Sequence, residues 1–376
     1  MPKTPEPRAV RLHKVTFPCL ALSLLLTLSA GCRASNWLSR LPDEFPVALV
    51  SIPGSHDSAT GDGFPSGFHN LIGSICARCQ DLSLAEQWSV GVRAFDLRPS
   101  TRDGYLQINH GTVSTNLRFA DALLLLRDSL IANPSEFAVV HMRHEVEGDK
   151  VDGTYEQLLL EVLQSDSLCG YFSDFRRDLT VGELRGKILL LSRDVYAASP
   201  VGAFIRNWCS AIDWGAQTAG ILTGSSSSVN ATAPLYVQDY YDTHTDGAID
   251  RKIAAISAML DFSTSQVAVA DTRPCWIFNF ASAYSKTLRL FGHTIALSNG
   301  YRDNAARTGS AILEYLRTHE AGPTGIVMID YAGTDMSNGY ATRGRELVDS
   351  IIANNFNYLA RIRRQNPARN APSMHP

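Results

Sequence analysis

Short, almost uninterrupted apolar runs recur along this chain, each followed closely by polar side chains. Eight are present: Val47–Ile52, Val92–Leu97, Leu106–Ile108, Phe137–Met142, Lys187–Leu191, Leu235–Val237, Trp276–Phe280 and Gly325–Ile329. A strand with one face in water alternates apolar and polar residues, whereas a strand covered on both faces does not. The runs therefore require a mainly parallel sheet enclosed by other elements. Helical 3.6-residue patterns over Leu84–Val90, Leu117–Ile131, Tyr155–Leu163, Ile249–Leu260, Ala305–Leu316 and Gly344–Ile352 supply that cover. Only the step from the second run to the third is too short for a helix, and Thr101–Gly104 reads there as a tight turn. Eight strands with one irregular crossover are expected to close as a distorted TIM-type (β/α) barrel. We expect a single domain over residues 37–362, a polar rim loop at Gly215–Pro234 and a frayed tail at 363–376.

The 376 residues, 45% of them apolar, are enough for one large core. The net charge is −3 and the basic residues form no block, which argues against a nucleic-acid partner and against electrostatic capture by an anionic membrane. Arg8, Arg11, His13 and Lys14 precede the apolar run Phe17–Leu28, which ends in Ser29-Ala30-Gly31-Cys32. That run is short for a membrane span, so residues 1–31 read as an export signal. Ala30-Gly31-Cys32 resembles a bacterial lipobox, with Leu28 one place further upstream than usual and Ser29 in its place. The expectation is a lipidated Cys32 tethering an exported protein to the cell envelope; cleavage near Ala30 or Ala34 would instead release it. Cys76, Cys79, Cys169, Cys209 and Cys275 remain in the mature chain. Cys76-Ala-Arg-Cys79 has the spacing of a metal or redox pair, but no second pair at zinc spacing follows. A local disulfide or two free thiols is the expectation there, and Cys275, opening an apolar run, reads as a buried small hydrophobe.

The polar residues closing the runs carry the functional signal. They are His56 and Asp57, Asp96 and Arg98, His110, Arg143 and Glu145, Arg193 and Asp194, Asp239 and Tyr241, and Asp330. A parallel barrel gathers the C-terminal ends of its strands into one mouth. One histidine at a strand end is ordinarily structural; titratable groups at nearly all of them are not. Two histidines that exchange protons near neutrality, with an arginine and spare carboxylates, suit general acid–base attack on a phosphate ester. No serine or cysteine nucleophile motif accompanies them.

Three segments, Ile52-Pro-Gly-Ser-His56-Asp57-Ser58, Gly91-Val-Arg-Ala-Phe-Asp96-Leu-Arg98 and His110-Gly111, resemble the X region of phosphatidylinositol-specific phospholipases C. The likeness is to the small bacterial, metal-independent kind, with Asp330 in Val327-Met-Ile-Asp330-Tyr331 as the late acid, and spans Trp37 to about Ile362. It implies catalytic roles for His56, Asp57, Arg98, His110 and Asp330, with Asp330 orienting His56 and Asp57 paired with His110. It implies substrate contacts from Asp96, Arg143, Glu145, Arg193, Asp239 and Tyr241. The implied substrate is phosphatidylinositol or a glycosylated form of it, cleaved to diacylglycerol and inositol 1,2-cyclic phosphate. Calcium-dependent relatives carry Asn after the first histidine and a second acid where Arg98 stands here. The expectation is therefore no metal cofactor, with Glu145 the one residue left as a possible ligand. The implied partner is a membrane surface met by a monomer through rim residues, Phe64–Ile75 or Gly215–Pro234. Two other readings differ in what they need. A metal-dependent glycerophosphodiesterase requires an early His-Arg-Gly and paired carboxylates, which are not seen. A non-catalytic inositol-lipid binder has no use for two positioned proton carriers.

Overall fold

In the computed structural model, which describes residues 36–146, 153–208, 218–265, 275–290 and 292–365, the strands in chain order are these. β1 (Ile52–Ser55), β2 (Ala94–Leu97), β3 (Pro99–Arg102), β4 (Tyr105–His110) and β5 (Val113–Arg118) form the first third. β6 (Ala138–Met142), β7 (Ile188–Ser192), β8 (Ala203–Arg206), β9 (Thr218–Gly224) and β10 (Thr232–Gln238) follow, then β11 (Trp276–Phe280), β12 (Thr287–Leu290), β13 (His293–Ala296) and β14 (Ile326–Ile329). Nine of them close a barrel in the order β1-β14-β11-β10-β9-β8-β7-β6-β2, and β1 pairs with β2 to complete it. All neighbours are parallel except β9, which runs antiparallel to β8 and β10. Every residue of β1, β2, β6, β7, β11 and β14 is buried, as continuous apolar runs require. At Gly54 the strands approach so closely that a Cβ would sit 2.4 Å from the Met328 sulfur.

The helices are α1 (Phe68–Ile72), α2 (Leu84–Ser89), α3 (Phe119–Ala132), α4 (Thr154–Leu163), α5 (Val181–Leu184), α6 (Ala248–Ser265), α7 (Ser298–Thr318) and α8 (Gly344–Gln365). α7 buries Tyr301, Ala305, Thr308, Ile312 and Tyr315, one stripe at helical spacing. α8 does the same through Leu347, Val348, Ile351 and Tyr358, and its Asn355 exchanges two 2.8 Å hydrogen bonds with the Ser51 backbone at the entry to β1.

The barrel differs from the eight-strand expectation in its membership. The run Leu106–Ile108 lies in β4, which belongs to a separate three-stranded antiparallel sheet, β3-β4-β5. The cause is the turn at Asp103 and Gly104, both with positive φ (45° and 81°), which folds β3 straight back on β4. An antiparallel return cannot supply the next parallel barrel strand, so β2 pairs directly with β6. β8 and β9 make up the closure. Most of the expected rim loop Gly215–Pro234 is accordingly structured: β9 and the start of β10 pair as a hairpin, while 215–217 lie outside the described residues. The first run forms a 3-10 turn over Val47–Leu49, and only Ile52 of it is in the strand. The last helix continues to Gln365, so Arg363 and Arg364 are helical rather than frayed. Cys76, Cys79 and Cys169 are free thiols, so the 76–79 pair is not bridged, and Cys275 directly precedes β11 and is half-buried. The signal segment, Cys32 and Cys209 lie outside the described residues.

The segment leading into β2 meets that leading into β6 in one buried ion pair. Arg93 donates to Glu136 at 3.0 Å through Nε and contacts it at 3.0 Å through Nη2, with both side chains fully buried. Glu136 also accepts from the Ser39 backbone at 3.2 Å, tying the N-terminal turn to the barrel. Removing one member of such a pair strands the other charge in the interior, which typically costs about 3–5 kcal/mol. Glu136→Ala should lower unfolding stability by that order in urea titration; a loss under about 1 kcal/mol would show that the pair is not buried in solution.

Candidate active site

The strand ends aim their side chains by a shared device. His56, His110 and Asp330 are each followed by a residue with left-handed backbone: Asp57 (φ 43°), Gly111 (φ 56°) and Tyr331 (φ 55°). For Asp57 and Tyr331 that conformation is costly and persists only because the surroundings hold it. Gln80 holds two of these corners together. Its amide nitrogen donates to the carbonyls of His56 (2.8 Å) and Ile329 (2.9 Å), and its oxygen accepts from the Ala332 N–H (2.8 Å). The parallel register of β1 with β14 then sets His56 beside Asp330, as the neighbourhood of first and last strands implies.

His56 Nδ1 lies 2.8 Å from Asp330 Oδ1 and its Nε2 lies 3.1 Å from Asp57 Oδ2. Asp57 Oδ1 is 3.1 Å from Arg98 Nε. The guanidinium also donates to Asp96 Oδ2 at 2.7 Å and reaches Glu145 Oε1 at 3.4 Å. Glu145 in turn accepts from the Gly111 N–H (2.7 Å) and pairs with Arg143 (3.1 Å). His110 arrives from the end of β4, outside the barrel, and its ring centroid is 6.3 Å from that of His56. Its Nδ1 is 2.7 Å from the Ala77 carbonyl and 3.6 Å from Asp57 Oδ2. The expected Asp57–His110 pairing is therefore not a direct hydrogen bond: a backbone carbonyl takes that position, and Asp57 stands between both imidazoles.

Burial dominates the electrostatics here. It holds the His56 imidazole well below its ordinary pKa, helped by the Arg98 charge. It pushes Asp57 up to about 6 against the opposing pull of Arg98. Asp330 is pushed up by burial and by Asp57. Burial would raise Asp96 too, but Arg98 and the His141 hydrogen bond hold it well below the usual carboxylate range.

A cavity of about 330 Å³ opens over this network. His56, Arg98 and His110 line it, together with Arg143, Glu145, Arg193, Asp239 and Tyr241 from the ends of β6, β7 and β10. Asp96, expected among the substrate contacts, does not line it. Its carboxylate is fully buried, spent on Arg98, on the Asp57 N–H and on His141, so it positions rather than contacts. Several lining residues carried no recognised signal: His141, Phe280, Tyr284 and Tyr301. His141 sits two residues before Arg143, so the period of a strand puts both on one face; that signal was available in an otherwise apolar run. Tyr301 comes from the first turns of α7, and its hydroxyl lies 3.3 Å from His110 Nε2. Trp208, after β8, donates to Asp239 at 3.2 Å and underlies the Arg193 guanidinium at 4.4 Å.

Three sets of donor atoms among the described residues are close enough to surround a metal ion: His56-Cys79-Asp330, Asp57-Cys79-His110 and His56-Asp57-Asp96. The carboxylates in them are already engaged by Arg98 or His56. In the two sets that contain Asp57, a cation would lie against the Arg98 guanidinium.

No protein-family model matches the sequence. Among curated proteins it is 27% identical over 347 residues to the 1-phosphatidylinositol phosphodiesterase of Staphylococcus aureus, covering 88% of this chain and 97% of that protein. A Listeria monocytogenes protein of the same name is 28% identical over 160 residues, 42% of this chain and 49% of its own length. Among solved structures, a variant of phosphatidylinositol-specific phospholipase C from S. aureus superposes with a TM-score of 0.63 at 23% identity, covering 84% of this chain and 96% of that one. The L. monocytogenes phospholipase superposes at 0.59 and 21% identity, covering 85% and 98%. These likenesses establish the distorted TIM-type barrel fold. In sequence over nearly its whole length, and in fold, the chain is similar to the bacterial phosphatidylinositol-specific phospholipases C.

Proposed function

We propose that this chain cleaves phosphatidylinositol, or a glycosylated form of it, into diacylglycerol and inositol 1,2-cyclic phosphate without a metal ion. The observation that carries the reading is the pair of imidazoles at one cavity mouth, 6.3 Å apart, with Asp57 between them and Arg98 held beside Asp57. His56 Nε2 accepts the proton of the inositol 2-hydroxyl, and that oxygen attacks the adjacent phosphorus. The bond from phosphorus to the diacylglycerol oxygen breaks, and His110 supplies the proton that the leaving oxygen takes. Because nucleophile and electrophile belong to one molecule, the protein's task is positioning and charge compensation.

Asp330 accepts from His56 Nδ1–H and so leaves the Nε2 lone pair available, as the acid does in a Ser-His-Asp triad. Asp57 can stabilise a proton first on His110 and then on His56, since one oxygen faces both. Arg98 offers planar donors to the non-bridging phosphate oxygens, in place of a divalent cation, while three carboxylates hold it still. Arg143, Glu145, Arg193, Asp239 and Tyr241 supply contacts for the headgroup.

Lipid contact is supported by exposed apolar side chains on the rim: Phe68 (73% exposed), Leu71 (57%) and Ile75 (46%). They lead into Ala77, whose carbonyl holds His110, so the surface that would meet the bilayer adjoins the proton donor. The protein acts as a monomer with no nucleic-acid partner. It is exported and anchored through acyl chains on Cys32, each buried methylene contributing about 0.8 kcal/mol. Cys32→Ser should move it from the membrane fraction to the soluble one; wild-type protein already soluble after export would make it a secreted enzyme.

The direct test is purified protein on phosphatidylinositol vesicles in excess chelator, where diacylglycerol and the cyclic phosphate should both appear. Arg98→Lys loses the planar fork and should turn over about 10²–10³-fold more slowly. No product, or turnover only with added calcium, would overturn the metal-free reaction.

The pH profile tests the base. His56 works only when neutral, and burial lowers its pKa, so it stays competent at pH 6.5. Asp57, raised to about 6, must be ionised to stabilise a proton on either imidazole. The kcat/KM profile should therefore hold down to about pH 6 and fall below it. Asp330→Asn should lower kcat by about 10²–10⁴-fold with an unchanged circular dichroism spectrum. An acid limb centred at 7 or higher would show that a different group acts as base.

A further inference from the structure

His141 is a third imidazole on the cavity wall, outside the acid–base pair. Its side chain is almost wholly buried on β6, and Nδ1 lies 2.8 Å from Asp96 Oδ1. Arg98 holds that carboxylate ionised against the opposing effect of burial, so Nδ1 carries the hydrogen and Nε2 is left as a lone-pair acceptor. Nε2 is buried and has no hydrogen-bond partner among the described residues. Trp208 packs on the ring at 5.0 Å between centroids, and Phe278 and Phe280 pack at 5.5 and 5.9 Å, which fixes its orientation.

A buried nitrogen without a partner is unfavourable, and in a side chain that lines a cavity it can be answered by what the cavity holds. Phe280 lies between the two functions: its ring is 6.3 Å from His56 and 5.9 Å from His141. A ring-shaped polyol presenting one hydroxyl to His56 would span this aromatic face and bring another hydroxyl toward His141. The nearby arginines can only donate, and the carboxylates of Glu145 and Asp239 accept with charge. His141 supplies what these groups do not, a neutral acceptor.

We propose that His141 is a recognition residue, its Nε2 accepting a hydrogen bond from a hydroxyl of the inositol ring other than the one that attacks phosphorus. The inference rests on the phospholipase reading and deepens it. It also gives Asp96 a second function: one carboxylate orients Arg98 for the phosphate and His141 for the headgroup.

His141→Asn separates recognition from structure, since the asparagine amide can keep the donor to Asp96 while the acceptor at the Nε2 position is removed. Both proteins are assayed on phosphatidylinositol and on analogues each lacking one ring hydroxyl. On the parent lipid the variant should lose about ten-fold in kcat/KM, mainly through KM, with unchanged melting temperature. On one analogue the wild type should show the same loss and the variant no further loss. Two results would overturn the proposal: a variant equal to wild type on the parent lipid, meaning that only water meets Nε2, or a loss that persists undiminished on every analogue, meaning a purely structural role. Absence of wild-type turnover on any of these lipids would instead reject the phospholipase reading, and this inference with it.

Discussion

A single buried guanidinium organises the mouth of this barrel. Arg98, only 12% exposed at the cavity wall, carries its charge where water compensates it only in part, and three carboxylates do the rest: Asp57, Asp96 and Glu145. Each of them then has a second task. Asp57 extends to His56, Asp96 to His141, and Glu145 to Arg143 and to the backbone beyond His110. The charges that make Arg98 tolerable inside the protein are thus the ones that position the imidazoles. Burial and the neighbouring Arg98 charge both favour the neutral form of His56.

The architecture delivers the two imidazoles by different routes. His56 and Asp330 come from adjacent parallel strands, clamped by Gln80, so their separation is set by the register of the barrel itself. His110 comes from an outer antiparallel sheet, inserted between β2 and the crossover helix α3 that leads to β6. It is held by the Ala77 carbonyl and lies close to the Tyr301 hydroxyl, neither of which belongs to a barrel strand. His56 is therefore fixed to the rigid frame, while His110 is fixed to the rim, next to the exposed apolar surface of α1.

Much of this was legible in the residues. The continuous apolar runs required a covered parallel sheet, and the turn chemistry of Asp103-Gly104 marked the irregular crossover. The polar residue following each run identified the mouth, because a parallel barrel places all such positions together. His56, Arg98, His110, Arg143, Glu145, Arg193, Asp239 and Tyr241 all line one cavity. The count of barrel strands was not legible: β8 and β9 have little periodicity of their own and exist through pairing with β7 and β10. Nor was the nature of Asp96, since its sequence position after an apolar stretch is the same whether its carboxylate faces the cavity or lies beneath Arg98.

What the sequence determined by itself is the set of chemical groups and the side of the barrel on which they gather, because apolar periodicity and turn residues act locally. What the tertiary structure decided is which group touches which. Asp57 stands between two imidazoles instead of pairing with His110, a backbone carbonyl holds the second histidine, and His141 joins the cavity wall with a buried Nε2 that has no partner among the described residues. Those outcomes depend on register, on left-handed corners and on competition for a few buried hydrogen-bond donors and acceptors. Such competition is settled only when distant segments meet.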